Sequence, residues 1–273
     1  MPELGQLLGQ GTSGQVYRFG SDKVIKLFFP EIPPENIGFE ARITKYVNEA
    51  GLPAAKVYDV IDYNGRTGIV YQDLEGTALL RILGHQVHRI FYWADVLAKI
   101  HTNIHKCSVP KDLPKQKELL ADWIVAAGGL DTKTKDKAIK YMETLPDGDK
   151  LCHNDLHPDN IVMTKAGLIV IDWTCTRIGD PLADVAYSMM VIQIGEVQSE
   201  VPGQGGIAIG RLAYSWLYAR DYLKMNGGSM KEVLRWRLPL AAARLIYKFP
   251  KEHQPCINIV NSEIRKLEKK GLV

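Results

Sequence analysis

The stretch Leu151-Cys152-His153-Asn154-Asp155-Leu156-His157-Pro158-Asp159-Asn160-Ile161-Val162 constrains this chain more than any other part of it. It spaces His153, Asp155 and Asn160 as H-x-D-x-x-x-x-N and leads straight into a β-like run. Phosphoryl transfer to a hydroxyl needs a carboxylate that positions the attacking oxygen and accepts its proton, and Asp155 suits that role. It also needs hard oxygen ligands for Mg²⁺, and the Asn160 side-chain amide supplies one. A second apolar run, Leu168-Ile169-Val170-Ile171, ends on Asp172, seventeen positions beyond Asp155. A buried run that ends on an acid implies a use for it, and Asp172 is placed to hold a metal that bridges phosphates.

Upstream features fit the same chemistry. Gly9-Gln10-Gly11-Thr12-Ser13-Gly14-Gln15-Val16 lies between two strand-like runs. Gly9, Gly11 and Gly14 would let backbone N–H groups approach phosphate oxygens. A strand follows the string, so it is not a dinucleotide fingerprint, which opens a helix. Lys26 closes the apolar segment Val24-Ile25 and offers a cation for the α/β phosphates. Glu40 shares a helix face with Ile43, Thr44 and Val47, so it points inward and needs a partner, for which Lys26 is the candidate.

The periodicities divide the chain. Strands are expected over Leu4–Leu8, Gln15–Phe19, Lys23–Phe29, Lys56–Tyr63 and Thr67–Gln72, the last two joined by a hairpin turn at Asn64–Gly65. A helix is expected from Pro33–Pro34 to about Ala50, stopped by Gly51. After Gly76 the spacing turns helical, as at Trp93, Val96, Leu97 and Ile100, with a β interlude over Lys150–Ile171. Leu212, Trp216, Ala219 and Leu223 form one apolar stripe near the C-terminus. The expected fold is α+β and bilobal, with a β-rich lobe over 1–73 and a helical lobe over 74–273.

These residues, in this order, resemble the protein-kinase-like fold and, more narrowly, the aminoglycoside phosphotransferase and choline kinase superfamily. His153–Asn160, Ile171-Asp172-Trp173 and Gly179-Asp180-Pro181-Leu182-Ala183-Asp184 carry the likeness, which spans about residues 5–190. The resemblance implies ATP- and Mg²⁺-dependent phosphorylation of a small-molecule hydroxyl, with ATP between the lobes. It also implies that Gln72 and Leu74 hold adenine at the inter-lobe hinge, with Tyr71 just behind. Asp184 would be a buried anchor for the His153–Asp155 loop. Asn154 stands where many antibiotic kinases have Gly, which brings the motif nearer to choline-kinase-like members. The alternatives are a protein kinase, against which the missing A-P-E segment counts, and a nucleotide-sensing pseudokinase that acts as a binding module.

Charge narrows the acceptor. From residue 201 on, thirteen Lys and Arg face five Asp and Glu, a net of +8 within a whole-chain net of +3. A polycationic acceptor wants carboxylates, so a neutral or anionic metabolite or sugar is expected, with Arg235, Arg237 and Arg244 as candidates to hold it. An aminoglycoside, choline or ethanolamine remains the alternative acceptor. The balanced overall charge argues against nucleic acid, and the run 183–194 is too short to span a membrane. Four cysteines without a C-x-x-C pair and an N-terminus without a basic, apolar leader fit a cytoplasmic protein. His101 and His105, four apart, are expected to pack or be exposed rather than bind zinc. His157 is expected to fix the loop, and Trp93, Trp123, Trp216 and Trp236 to fill the core or line a groove.

Overall fold

Period-two alternation punctuated by glycine turns builds the first third of the protein. The computed structural model describes residues 2–195 and 204–273. Along the chain come β1 (Leu4–Gln10), β2 (Gly14–Phe19), β3 (Lys23–Phe28), α1 (Pro34–Glu49), β4 (Val57–Tyr63), β5 (Arg66–Gln72) and β6 (Thr77–Ala78). Next are α2 (Leu79–His85), α3 (Ile90–Lys106), α4 (Gln116–Ala126), α5 (Thr132–Glu143), β7 (Lys150–Cys152), β8 (Ile161–Thr164), β9 (Gly167–Val170) and β10 (Arg177–Gly179). The chain ends with α6 (Pro181–Ile194), α7 (Gln204–Asn226), α8 (Met230–Arg235), α9 (Arg237–Arg244) and α10 (Pro250–Glu268).

The fold is α+β, as its periodicities imply. Two compact units are present: Met1–Leu79 with Asp159–Cys175, and Leu80–Pro158 with Thr176–Val273. In the first, five antiparallel strands lie in the order β1-β2-β3-β5-β4. Asn64 and Gly65 both have positive φ, 53° and 79°, which the tight β4–β5 hairpin requires. One sheet face packs Phe19, Ile25, Leu27 and Val70 together. The other packs Phe28 and Ile69 against Ile37 and Ala41 of α1. A small sheet, β6-β8-β9, completes this unit, and Val170 donates its N–H to the Pro53 carbonyl at 2.6 Å.

The second unit is helical, apart from the antiparallel pair β7–β10. Here α3 and α6 both pack on α7, and α9 packs on α4, α6 and α10. Leu238, Leu240 and Ala241–Ala243 of α9 are buried, so it forms the middle of this unit's core. One expected stripe is corrected. Leu212 and Trp216 of α7 are exposed, whereas Tyr214, Ser215, Tyr218, Ala219 and Tyr222 form its buried face. Leucine and tryptophan outrank tyrosine in hydropathy, but the tyrosine hydroxyls have partners inside the unit, so burying them is not penalised. Among the described residues, no helix is long and apolar enough to cross a membrane.

Candidate functional site

Strand alternation decides where Lys26 points. Ile25 and Leu27 belong to one face of the sheet, so Lys26 emerges on the other, beside Phe28 and under α1. Glu40, buried on α1, meets it there: Lys26 Nζ lies 2.8 Å and 2.9 Å from the two carboxylate oxygens. Tyr71, on the same face of β5, donates its hydroxyl to Glu40 Oε1 at 2.8 Å. The Thr174 hydroxyl lies 2.7 Å from Glu40 Oε2 and 2.7 Å from Asp172 Oδ1. Asp172 in turn is 3.8 Å from Lys26 Nζ. Burial would lower the Lys26 pKa, but Asp172 and then Glu40 outweigh it and hold the ammonium above its usual value. Burial, and then Glu40, push the Tyr71 phenol well above its ordinary range, so it stays a donor.

The small sheet positions Asn160 and Asp172. Ile161 pairs with Val170, and Ile171 donates to the Asn160 carbonyl at 3.0 Å. Asn160 and Asp172 therefore sit at one end of the β8–β9 hairpin. Asp172 has a φ of 61°, unusual outside glycine, so its side chain leaves the strand direction. A carboxylate and an amide oxygen are hard donors, the chemistry that Mg²⁺ selects, and Asp172 is open enough to offer its carboxylate.

The glycine string divides by cause. A Cβ on Gly14 would collide with the Leu27 carbonyl, whereas one on Gly9 or Gly11 would meet nothing within 4 Å. Packing explains Gly14, whereas the space beside Gly9 and Gly11 is open. The loop closes with Gly11 N–H donating to the Gly14 carbonyl at 2.9 Å. Gln72 pairs with Lys23 at the end of β5, and Leu74 lies two residues on, half-buried.

Asp155 belongs to the second unit. Its loop hangs from Asp184: His153 and Asn154 donate their backbone N–H groups to that carboxylate at 2.6 Å and 2.8 Å. Asn154 has a φ of 60°, a conformation that asparagine and glycine tolerate. Its side-chain oxygen accepts a 2.5 Å bond from Gln116, whose own oxygen accepts from Asp180 N–H at 3.0 Å. His101 and His105 are buried, with their Nε2 atoms 2.9 Å and 3.2 Å from Asp184 Oδ2. Their Nδ1 atoms meet the hydroxyls of Tyr218 and Tyr222. Burial works against the Asp184 charge, but His101 and then His105 hold it well below the usual carboxyl range. Burial, then His101, push His105 down to about 4.

Around Asp155 Oδ1 stand His157 Nε2 at 3.7 Å and Arg244 Nη1 at 3.9 Å. Of the three arginines expected at an acceptor, only Arg244 reaches this place. Arg235 is exposed and Arg237 half-buried, and among the described residues neither is paired with Asp155. Sequence reasoning missed Thr174, Gln116 and Glu252, and it gave the two helix histidines no polar role. Their spacing of four was the available signal. Nothing local marks Glu252 as the partner of Arg244.

The family model described as a phosphotransferase enzyme family matches residues 5–219. No curated protein sequence matches the chain. Among solved structures, the choline kinase LicA from Streptococcus pneumoniae superposes with a TM-score of 0.63 at 17% identity, covering 95% of this chain and 93% of that one. An aminoglycoside-3′-phosphotransferase of type VIII gives 0.61 at 18% identity, with 91% and 94% covered. A choline/ethanolamine kinase family protein from Mesorhizobium loti gives 0.61 at 14% identity, with 98% and 87% covered. These likenesses extend over nearly the whole chain, and the family model takes in the glycine string, Lys26, Glu40, Asp155, Asn160 and Asp172. With most of its length matched, the chain belongs to the phosphotransferase enzyme family.

Proposed function

We propose that the protein is a kinase that transfers the γ-phosphate of ATP, with Mg²⁺, to a hydroxyl of a neutral or anionic small molecule. The observation that carries this reading is the Lys26–Glu40 pair, which Thr174 ties to Asp172. In this reading the glycine string and Lys26 hold the phosphates, and Glu40, Tyr71 and Thr174 fix the lysine. Gln72 and Leu74 supply backbone groups for the base. Asn160 and Asp172 hold the cation, which when bound neutralises charge on the phosphate oxygens. Asp155 accepts a hydrogen bond from the acceptor hydroxyl and takes its proton as the new P–O bond forms and the bond from the γ-phosphorus to the β–γ bridging oxygen breaks, so that ADP leaves. Positioning and fixed charge do most of the catalytic work.

The preference for a neutral or anionic acceptor is supported by the surroundings of Asp155. Glu252, which shares Arg244 with Asp155, is committed to that guanidinium, at 2.7 Å and 3.2 Å. The test is acceptor-stimulated ADP release from Mg²⁺–ATP over a panel of sugars, sugar phosphates, nucleosides, choline, ethanolamine and aminoglycosides. D155A should lower turnover by about 10³-fold or more while sparing ATP binding, and K26A should weaken ATP binding. Equal turnover by D155A and the unmodified enzyme would falsify the mechanism.

A further inference from the structure

Arg244, at the end of α9, is nearly buried, yet it faces more than a salt-bridge partner. Its Nε and Nη2 donate to the two oxygens of Glu252 at 2.7 Å and 3.2 Å, and Nη1 donates to the Tyr187 hydroxyl at 2.9 Å. The guanidinium carbon lies 4.7 Å from the ring centroid of Tyr247, 5.3 Å from Phe249 and 5.7 Å from Tyr187. Tyr247 and Phe249 stack nearly parallel, 7° apart. Asp155 completes the surroundings at 3.9 Å.

Three aromatic rings and two carboxylates make an enclosure complementary to a cation. A buried ion pair on its own adds little net stability over an apolar pair of the same shape, and it does not call for three rings. Here the chain supplies the cation itself, beside the carboxylate that faces the acceptor.

We infer that Arg244 is an acceptor-selectivity residue: it fills a cation-binding enclosure next to Asp155 and so turns the enzyme against acceptors that carry an amine or quaternary ammonium near the reacting hydroxyl. This rests on the kinase reading, with Asp155 at the acceptor. The enclosure is latent. Shortening the side chain at 244 opens it to an external cation.

The test uses tetramethylammonium, which makes no hydrogen bonds and is held by ring faces and charge alone. Calorimetry on R244A should show it binding at least tenfold more tightly than to the unmodified protein, with sodium chloride at matched ionic strength as the blank. R244A/E252Q, which leaves no carboxylate stranded by the lost arginine, carries the same measurement if the single variant does not fold. Equal binding to variant and unmodified protein, or binding to neither, overturns the inference. A second arm needs no variant. Choline and 3,3-dimethylbutan-1-ol have the same shape and differ in charge, and the unmodified enzyme should favour the uncharged alcohol at least tenfold in kcat/KM or in competition for binding. Parity or a preference for choline overturns the inference as well. MgATP binding, measured separately, reports on the kinase reading: its absence would defeat that reading while leaving the tetramethylammonium result to stand or fall alone.

Discussion

Gly11 and Gly14 sit three residues apart for different physical reasons, and substitution should separate them. A Cβ at Gly14 runs into the Leu27 backbone, which cannot swing aside as a side chain can. G14A should therefore cost about 1–3 kcal/mol of stability, read as a lowered denaturant midpoint. A Cβ at Gly11 meets open space, so G11A should leave the midpoint unchanged and raise the KM for ATP about tenfold, worth about 1.4 kcal/mol. A lowered midpoint with an unchanged KM in G11A would show that the loop's glycines serve packing alone. The Lys26–Glu40 contact was legible from the sequence because two periods, two residues in β3 and 3.6 in α1, aim both side chains at one interface. Arg244 was legible only as a charge. Its partner lies eight residues on, past the turn between α9 and α10, and three of its neighbours are rings whose faces no spacing rule predicts.

The elements of the first third were readable because the strands are short and set off by glycine-rich turns and the helix α1 opens on proline and stops at Gly51; β6 was not, since two residues carry no period. Helix α3 shows the opposite limit. Its apolar stripe was plain, but His101 and His105 on the same helix looked incidental until α7 brought Tyr218 and Tyr222 to them. That arrangement has a pH signature. An imidazole pushed down to about 4 binds a proton less readily in the folded chain than in the unfolded one, whose value is 6.5. Above pH 6.5 the group is neutral in both states and its contribution is flat. As pH falls from about 6.5 towards 4, the unfolded chain gains the proton and stability falls by up to about 1.4 kcal/mol per unit. Urea unfolding of H105Q should therefore show a shallower loss of stability over that window than the unmodified protein. Parallel curves would mean that His105 does not govern it.

In the protein as a whole, the residues proposed to act divide unequally between the two units. Lys26, Glu40, Asn160 and Asp172 belong to one, and Asp155 with Arg244 to the other. The α+β class and the helical character of the second unit follow from periodicity, but the grouping of Asp159–Cys175 with the N-terminal strands does not. It depends on β8 pairing with β6 and on Val170 meeting Pro53, contacts between segments far apart in sequence. Gly76 is part of this fit, because a Cβ there would strike Val162 and Met163. A fragment ending at Leu79 lacks β8 and β9, and it is expected to show no cooperative thermal transition by circular dichroism. A sharp transition would show that the five-stranded sheet stands alone.

The discontinuity of that first unit also sets a timetable for synthesis. Its strands emerge from the ribosome first, but its last segment ends only at Cys175. At bacterial or eukaryotic elongation rates the nascent strands wait roughly 5–20 s for the hairpin that completes them. Throughout that interval the pairing edge of β6 and the backbone around Pro53 are exposed on a growing chain. The protein's vulnerability to misassembly is thus concentrated in a brief period of its birth, before Asp172 exists to be folded.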